Sequence, residues 1–428
     1  MRCDERGQKE GAMWNRSTRM FVGVAFAVVM TSGSMALADD DRDDGGRQAA
    51  TQSVQLGPRP FYLVDGMDEG KLKDELSQCK AGPFHRSDFS IGHRGAALQF
   101  PEHSKEAYDA GARMGAGIVE CDTTFTQDGE LVCRHSECDL HTTTNIVATD
   151  LNAKCSVPWS GPGSSPKCCT SDLTVAEFKT LRAKMDASNP SATTAEGYLG
   201  GTPSWRTDLY TGRGTVMTLR ESLALNEKNG VKHTPELKDG DPARINQIFG
   251  SQEKYAQKMI DEINEAGVYP RNVFLQSFNR DVILYWIQNA PDFGQQAVYL
   301  DSVDPTSVPP VPRLTLDDLK QLRRKGVRIF APPMTALLDI DAHDNVVPSQ
   351  YARDIKSAGL EIITSAGASR ALAPRRPLVY ARTPRPSLSA PIGWSCRRAR
   401  SRPRGHVRRR GTVQRAVGPT PLPRPARP

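Results

Sequence analysis

The chain has 428 residues, of which 38% are hydrophobic, and its formal net charge is +7. This length suits two or three average domains or one large barrel, and a mean hydropathy of −0.50 excludes a polytopic membrane protein. The charge is unevenly distributed, because residues 365–428 contain 16 arginines and no lysine, aspartate or glutamate, whereas residues 39–364 have a net charge of −11. The acidic body excludes a general nucleic-acid-binding protein.

The N-terminal segment has the features of a secretory signal peptide in the usual order. Two arginines precede the apolar run 20–30, and Ala36 and Ala38 supply small residues before a cleavage point. Because the run is too short to span a bilayer, we expect residues 1–38 to be a signal peptide, with Met13 as a plausible start and an uncleaved anchor as the alternative. The protein is then periplasmic or secreted, with no stable membrane insertion.

Seven cysteines remain in the body of the chain: Cys79, Cys121, Cys133, Cys138, Cys155, Cys168 and Cys169. In an oxidising compartment such cysteines form disulfides, and because seven is odd, one must stay outside the intramolecular pairs. Cys138 with His141, or Cys168 with Cys169, would suit a zinc pair. No matching second pair has zinc-finger spacing, which favours disulfides.

The elements predicted between residues 89 and 364 alternate between strands and helices. Strands are expected at 89–92, 117–122, 131–135, 234–238, 273–277, 297–300, 327–331 and 360–364, and helices at 105–114, 219–228, 244–266, 280–289, 316–324 and 349–357. Most helices lie between two strands, which favours parallel βαβ units and an α/β barrel. Residues 39–58 are predicted to be a disordered leader. Residues 139–217 are rich in Ser, Thr, Gly and Pro and are predicted to be an insertion cross-linked by disulfides.

Polar residues with catalytic or ligand-binding chemistry stand near the C-terminal ends of the predicted strands: His93, Arg94, Glu120, Asp122, His135, Glu236 and Lys238. Glu120 and Asp122 are two residues apart on one strand and share a face, so Cys121 points to the other face. Glu236 and Lys238 repeat this spacing. Because the C-terminal ends of barrel strands meet at one mouth, these side chains are predicted to form one site.

Three carboxylates at one mouth repel one another and would also repel an anionic substrate. A hard divalent cation, Ca²⁺ or Mg²⁺, bound by Glu120, Asp122 and Glu236 removes both problems, because these ions prefer oxygen ligands. The cation, Arg94 and Lys238 then form a site for a phosphate group. Two histidines, with an ordinary pKa of ~6.5, can divide the acid and base roles. The predicted chemistry is cleavage of a phosphate diester.

With these motifs the chain resembles the glycerophosphodiester phosphodiesterase family over about residues 60–364. The resemblance rests on His93-Arg94-Gly95, Pro101-Glu102-His103-Ser104, Glu120-Cys121-Asp122, His135 with Leu140 to Asn145 behind it, Glu236-Leu237-Lys238 and Gln276-Ser277-Phe278. It implies a (β/α)8 TIM-type barrel over 59–364 with the insertion 139–217. It also implies a glycerophosphodiester as the small-molecule substrate, such as glycerophosphocholine, cleaved to glycerol 3-phosphate and an alcohol.

The resemblance also implies roles for individual residues. His93 and His135 are the implied acid/base pair, and the implied metal ligands and phosphate-binding residues are the ones deduced above from charge. We expect Glu102 to brace its loop, and His103, His141 and His233 to be structural. Phe278 belongs either to the core or to the pocket.

The chain departs from the family after Thr364. Ser365 stands where a tryptophan is typical, and no eighth barrel strand can be found in 365–428, so the barrel is expected to lack its last strand and to have two unpaired edges. The Arg- and Pro-rich tail reads either as a basic arm for nucleic acid or anionic lipid or as a disordered, out-of-frame translation of GC-rich DNA. The abrupt change in composition favours the frameshift.

Three alternatives remain open. A sphingomyelinase D- or phospholipase D-like enzyme shares the two-histidine, Glu/Asp layout, although Glu236-x-Lys238 and the long insertion favour the glycerophosphodiesterase. An inactive secreted product of a damaged gene is the non-enzyme alternative, and nucleic-acid binding through the tail ranks last.

The frameshift interpretation predicts a specific DNA sequence. Read in another frame near codon 365, the gene should encode a tryptophan-containing strand extension followed by an amphipathic helix. Sequencing this region tests the expectation, and the absence of such a segment from every frame would refute it.

Overall fold

The computed structural model describes residues 54–304, 309–343 and 346–364. The predicted signal peptide, the leader as far as residue 53 and the arginine-rich tail lie outside these ranges. Within them, no helix has the length and apolar character needed to cross a bilayer.

The strands and helices alternate through most of the described chain. The strands are β1 Ser87–Gly92, β2 Ala116–Phe125, β3 Leu131–Cys133, β4 Arg182–Ala183, β5 Gly214–Thr215, β6 Lys232–Leu237, β7 Gln276–Ser277, β8 Val298–Leu300, β9 Ile329–Ala331, β10 Leu338–Ile340, β11 Val346–Pro348 and β12 Glu361–Ile362. The helices are α1 Arg59–Asp65, α2 Lys71–Ser77, α3 Lys105–Arg113, α4 Leu140–Thr143, α5 Val175–Phe178, α6 Ala195–Tyr198, α7 Leu219–Asn229, α8 Pro242–Phe249, α9 Gln252–Glu265, α10 Arg280–Asn289, α11 Pro291–Gly294, α12 Leu316–Arg324, α13 Met334–Leu337 and α14 Gln350–Ser357.

The main sheet confirms the predicted α/β barrel architecture with an incomplete circle of strands. Seven of its strands are parallel and lie in the order β1-β2-β6-β7-β8-β9-β12, and β3 pairs antiparallel with β2. In the described ranges β1 and β12 each have one neighbour, so the sheet stays open between them, as expected for a barrel that lacks its last strand. Phe89, in β1, is 76% exposed at this edge.

One predicted helix is in fact two. The periodicity predicted a single helix over 244–266, but α8 ends at Gly250, whose φ of 85° lies in the left-handed region that ends helices. Ser251 then begins α9, because its side chain accepts a hydrogen bond from the Lys254 backbone N–H. Both helices bury residues in the same apolar core, Ile245 from α8 and Ile260 from α9, so the apolar pattern continues across the break.

The segment between β3 and α7 has an apolar cluster of its own. Leu140, Ile146, Phe178 and Leu181 are fully buried in it, separate from the main core between the sheet and its helices. The limits of the predicted insertion and of the other domains stay predictions.

Six cysteines form three disulfides, Cys121–Cys133, Cys138–Cys169 and Cys155–Cys168. This confirms the expectation of disulfides over zinc, because Cys138, Cys168 and Cys169 are all oxidised. Cys133 and Cys138 flank His135 and tie its loop to β2 on one side and to the following segment on the other. Cys79 is the described cysteine outside these pairs.

We expect the Cys155–Cys168 disulfide to stabilise the fold measurably. It closes a loop with a sequence separation of 13, and the lost loop entropy of the unfolded chain is worth about 3 kcal/mol. The double variant Cys155→Ala/Cys168→Ala should lose about that much free energy of unfolding in a denaturant titration. Ser165→Ala, at an exposed position inside the same loop, should change it by less than about 0.5 kcal/mol. Equal stabilities of the two variants would contradict the prediction.

Candidate functional site

The turn after β1 brings His93 and Arg94 to the mouth of the sheet. Arg94 and Gly95 both have positive φ, 58° and 83°, and the turn is closed by the Gly95 N–H donating to the Gly92 carbonyl. A Cβ on Gly95 would lie 2.6 Å from the backbone of Ala107 in α3, so only glycine permits this approach. The Arg94 N–H donates to Glu120 Oε2 at 3.0 Å, which ties the turn to β2.

Strand register brings the three predicted cation ligands together. Glu120 and Asp122 lie on one face of β2 while Cys121 packs in the core on the other, as the alternation predicted. Asp122 is paired with Glu236 in the β2–β6 register. Glu120, Asp122 and Glu236 are all buried, and one carboxylate oxygen from each lies within 4.8 Å of the others.

The neighbouring positive charges compensate the carboxylates of this cluster unequally. Burial and the charge of Asp122 raise the pKa of Glu120 to about 8 and that of Glu236 well above its usual range. Burial opposes ionisation of Asp122 too, but His103, Lys238 and Arg94 hold its pKa well below the ordinary value. Asp122 Oδ1 is buried and has no hydrogen-bond partner among the described residues. An all-oxygen cluster with an unpartnered buried oxygen fits Ca²⁺ or Mg²⁺.

Arg94 and Lys238 lie beside the carboxylates. Arg94 Nε is 3.4 Å from Asp122 Oδ2, and Lys238 Nζ is 2.7 Å from Glu236 Oε1. Their carboxylate neighbours outweigh burial and raise the pKa of both groups, so both stay charged. Lys238 Nζ also lies 5.6 Å from the centroid of the Phe278 ring. Because Phe278 is 43% exposed, it does not belong to the core and lies at the surface beside Lys238.

The two predicted acid/base histidines differ in exposure: the His93 side chain is 44% exposed, whereas His135 is half-buried. The pKa of each is lowered, which favours the neutral imidazole at pH 7. His93 Nε2 lies 3.5 Å from Glu120 Oε2, and burial, together with Arg94, lowers the pKa of His93. Burial lowers the pKa of His135 to about 4; Asp122 opposes this shift, while Arg94 and Lys238 add to it. Asp122, Arg94 and Lys238 therefore act electrostatically on both imidazoles.

Three residues outside the predicted set hold the site in shape. Glu102 accepts a hydrogen bond from Arg94 Nη1 at 2.9 Å, which agrees with its expected bracing role. Gln276 Nε2 donates to Glu120 Oε1 at 2.6 Å, and His103 contacts Asp122. The position of Gln276 at the mouth end of a parallel strand was the available sequence signal for its role.

Comparison with known proteins agrees with this geometry. The model of the glycerophosphoryl diester phosphodiesterase family matches residues 93–309, just over half of the chain. The chain is 41% identical over 181 residues to an "Extracellular protein" of Arthroderma benhamiae, covering 42% of this chain and 73% of that protein.

Two further relatives carry the family's name or chemistry. A glycerophosphodiester phosphodiesterase of Arabidopsis thaliana is 26% identical over 249 residues, which is 55% of this chain and 59% of the relative. The solved structure of an Oleispira antarctica phosphodiesterase, in complex with the product sn-glycerol-3-phosphate, is 18% identical with a TM-score of 0.42 and covers 64% of this chain and 83% of that one. By the match to its family model, the chain belongs to the glycerophosphoryl diester phosphodiesterase family.

Proposed function

We propose that this chain is an exported phosphodiesterase that requires a divalent cation, Ca²⁺ or Mg²⁺, and cleaves glycerophosphodiesters such as glycerophosphocholine to glycerol 3-phosphate and an alcohol. The observation that carries the proposal is the cluster of Glu120, Asp122 and Glu236 beside Arg94 and Lys238. Carboxylates that suit a hard cation, next to two fixed positive charges, match a substrate with an anionic phosphate diester.

The three carboxylates would hold the cation. When bound, such an ion stabilises the negative charge that develops on a phosphoryl oxygen. Arg94 and Lys238 bind the non-bridging phosphate oxygens and hold the phosphorus in position. Glu102 and Glu236 keep these two side chains directed at the site through their own contacts.

His93 and His135 move the protons. A neutral imidazole accepts the proton of the attacking hydroxyl group or water, and the low pKa of both rings keeps them available for this step at pH 7. The second imidazole donates a proton to the oxygen of the departing alcohol. The anionic phosphate beside that ring raises its pKa and so favours the protonated form that this step requires.

Export has three sources of support. The N-terminal sequence has signal-peptide features, six cysteines form disulfides, and a relative is named an extracellular protein. The division into a signal peptide (1–38), a leader (39–58), a barrel (59–364) with an insertion (139–217), and an out-of-frame tail (365–428) belongs to this proposal.

An inactive secreted product is the second candidate. It is favoured by the sheet that stays open between β1 and β12 in the described ranges, because an open barrel exposes part of its core. The sphingomyelinase D- or phospholipase D-like alternative differs in its substrate and can be tested in the same assay.

The first prediction from this proposal concerns the cation. The chain should release glycerol 3-phosphate from glycerophosphocholine, EDTA should abolish the release, and excess Ca²⁺ or Mg²⁺ should restore it. Sphingomyelin and lysophosphatidylcholine are supplied in parallel reactions that measure choline release. Turnover of these lipids alone would favour the lipase-like alternative, and no turnover of any substrate would favour the inactive product.

The second prediction concerns the two histidines. His93→Ala and His135→Ala should each lower kcat by about 10²- to 10⁴-fold, because each removes one proton-transfer group. His233→Asn is the matched control, since His233 is buried on β6 and pairs with Glu227, away from the carboxylate cluster. A kcat within twofold of wild type for either alanine variant would contradict the assigned roles.

The third prediction concerns pH. Because the pKa of Glu120 is raised to about 8, this carboxyl is protonated at pH 7 in the cation-free protein, and a cation must displace the proton. Affinity for Ca²⁺ should therefore increase as the pH rises from about 6 to about 9, with at least one proton released per ion at pH 7, since the pKa of Glu236 is raised as well. Calorimetric titration in two buffers of different ionisation enthalpy measures both quantities. A pH-independent affinity without proton release would be the opposite result.

A further inference from the structure

His103 lies fully buried directly beneath the carboxylate cluster. Its side chain has no exposed surface, and its φ of 53° falls in the left-handed region, which non-glycine residues rarely adopt. The His103 N–H donates to the Arg94 carbonyl at 3.2 Å, so the strained backbone is held by the same turn that carries Arg94. Strain of this kind persists where the surroundings fix it, and it is common at functional sites.

Each nitrogen of the His103 ring has one partner. Nε2 lies 3.0 Å from Asp122 Oδ2, and Nδ1 lies 3.0 Å from the Tyr108 hydroxyl. An ionised carboxylate only accepts hydrogen bonds, so Nε2 must carry the proton and donate it to Asp122. In the neutral ring Nδ1 is then an acceptor, and Tyr108 donates its hydroxyl hydrogen to it. The fully buried Tyr108 thereby fixes the tautomer.

The contact leaves the two oxygens of Asp122 in different situations. Oδ2 is held by His103 and lies 3.4 Å from Arg94 Nε. Oδ1 is buried and lacks a hydrogen-bond partner among the described residues. When a hydrogen bond fixes one oxygen of a carboxylate, the direction of the other oxygen is fixed as well. At metal sites, hydrogen bonds from neighbouring residues to the ligands set the orientation of those ligands and the affinity for the metal in this way.

We propose that Tyr108 and His103 form a positioning pair that orients Asp122 for a divalent cation. This inference rests on the proposed cation site but goes beyond it, because neither residue touches the substrate, the cation or the reacting atoms. The sequence predicted a structural role for His103. The proposal makes this role specific: buried just before α3, His103 orients Asp122, the proposed ligand on β2.

The test measures binding of Ca²⁺ alone to the full chain by calorimetry. His103→Asn keeps a residue type that tolerates positive φ but is too short to reach Asp122, and it should weaken Ca²⁺ binding by about 10- to 100-fold. His103→Gln places an amide N–H near the Nε2 position and should recover part of the loss. Tyr108→Phe removes the hydroxyl group that fixes the tautomer and should give an intermediate loss.

His233→Asn is the matched control. His233 is also a buried histidine with Nε2 near a carboxylate oxygen, at 3.1 Å from Glu227, but in β6 it lies three positions before Glu236 and thus on the opposite face of the strand. The Ca²⁺ affinity of the His233→Asn variant should match that of the wild type. Thermal unfolding in EDTA, compared with unfolding in Ca²⁺, separates loss of fold from loss of binding: the variants at 103 should lose most of the Ca²⁺-induced rise in Tm.

Two results would overturn the inference. One is wild-type Ca²⁺ affinity in both His103→Asn and Tyr108→Phe, and the other is a loss of Ca²⁺ affinity in His233→Asn equal to that in the variants at 103. If His103→Asn does not fold, the folded Tyr108→Phe variant gives the answer by the same comparison. Absence of Ca²⁺ and Mg²⁺ binding to the wild-type chain would instead refute the proposed cation site itself, a result distinct from unchanged affinities among the variants. At saturating Ca²⁺ the variants at 103 should regain most of their kcat, since the pair acts through Asp122.

Discussion

The mutual repulsion of three buried carboxylates is the interaction that the other residues of the candidate site must compensate. Glu120, Asp122 and Glu236 lie on the adjacent strands β2 and β6 and are buried, so each uncompensated charge is costly. Neighbouring groups reduce this repulsion with positive charge and hydrogen bonds. Arg94 and Lys238 supply positive charge, and the Gln276 side chain and the Arg94 backbone donate hydrogen bonds to Glu120. The raised pKa values of the two glutamates indicate that these neighbours compensate the repulsion only in part.

Strand β2 contributes residues to the candidate site from one face and residues to the core from the other. In β2, the proposed cation ligands Glu120 and Asp122 alternate with Cys121, whose disulfide to Cys133 ties β2 to β3 on the core side. The Arg134 N–H donates to the Asp122 carbonyl at 2.7 Å, so His135 directly follows a segment that is hydrogen-bonded to β2. The spacing between the carboxylates and this imidazole is therefore set by the backbone pairing of β2 and β3, reinforced by a covalent bond.

The sequence predicted the site better than it predicted local details of the fold. Alternation along a strand suffices to put Glu120 and Asp122 on one face, and the convergence of strand ends in a barrel then brings in Glu236 and Lys238. The break between α8 and α9 was missed because the apolar pattern continues across Gly250, and only the backbone conformation reveals the cap. The disulfide pairing and the contact of His103 with Asp122 depend on tertiary distances that no spacing in the chain encodes.

The open side of the sheet has a consequence for how the protein would fail on heating. His93 and Arg94 follow β1, a strand that has β2 as its one neighbour in the described ranges. Their turn is held by α3, through the Ala96 N–H to the Ala107 carbonyl, by Glu120, and by the His103 N–H, which donates to the Arg94 carbonyl. Edge elements with few neighbours open locally at lower free energy than the whole domain. Fraying of β1 would displace His93 and Arg94, the proposed acid/base and phosphate-binding groups, together. Thermal inactivation would then precede global unfolding, and one edge strand would set the lifetime of the proposed site.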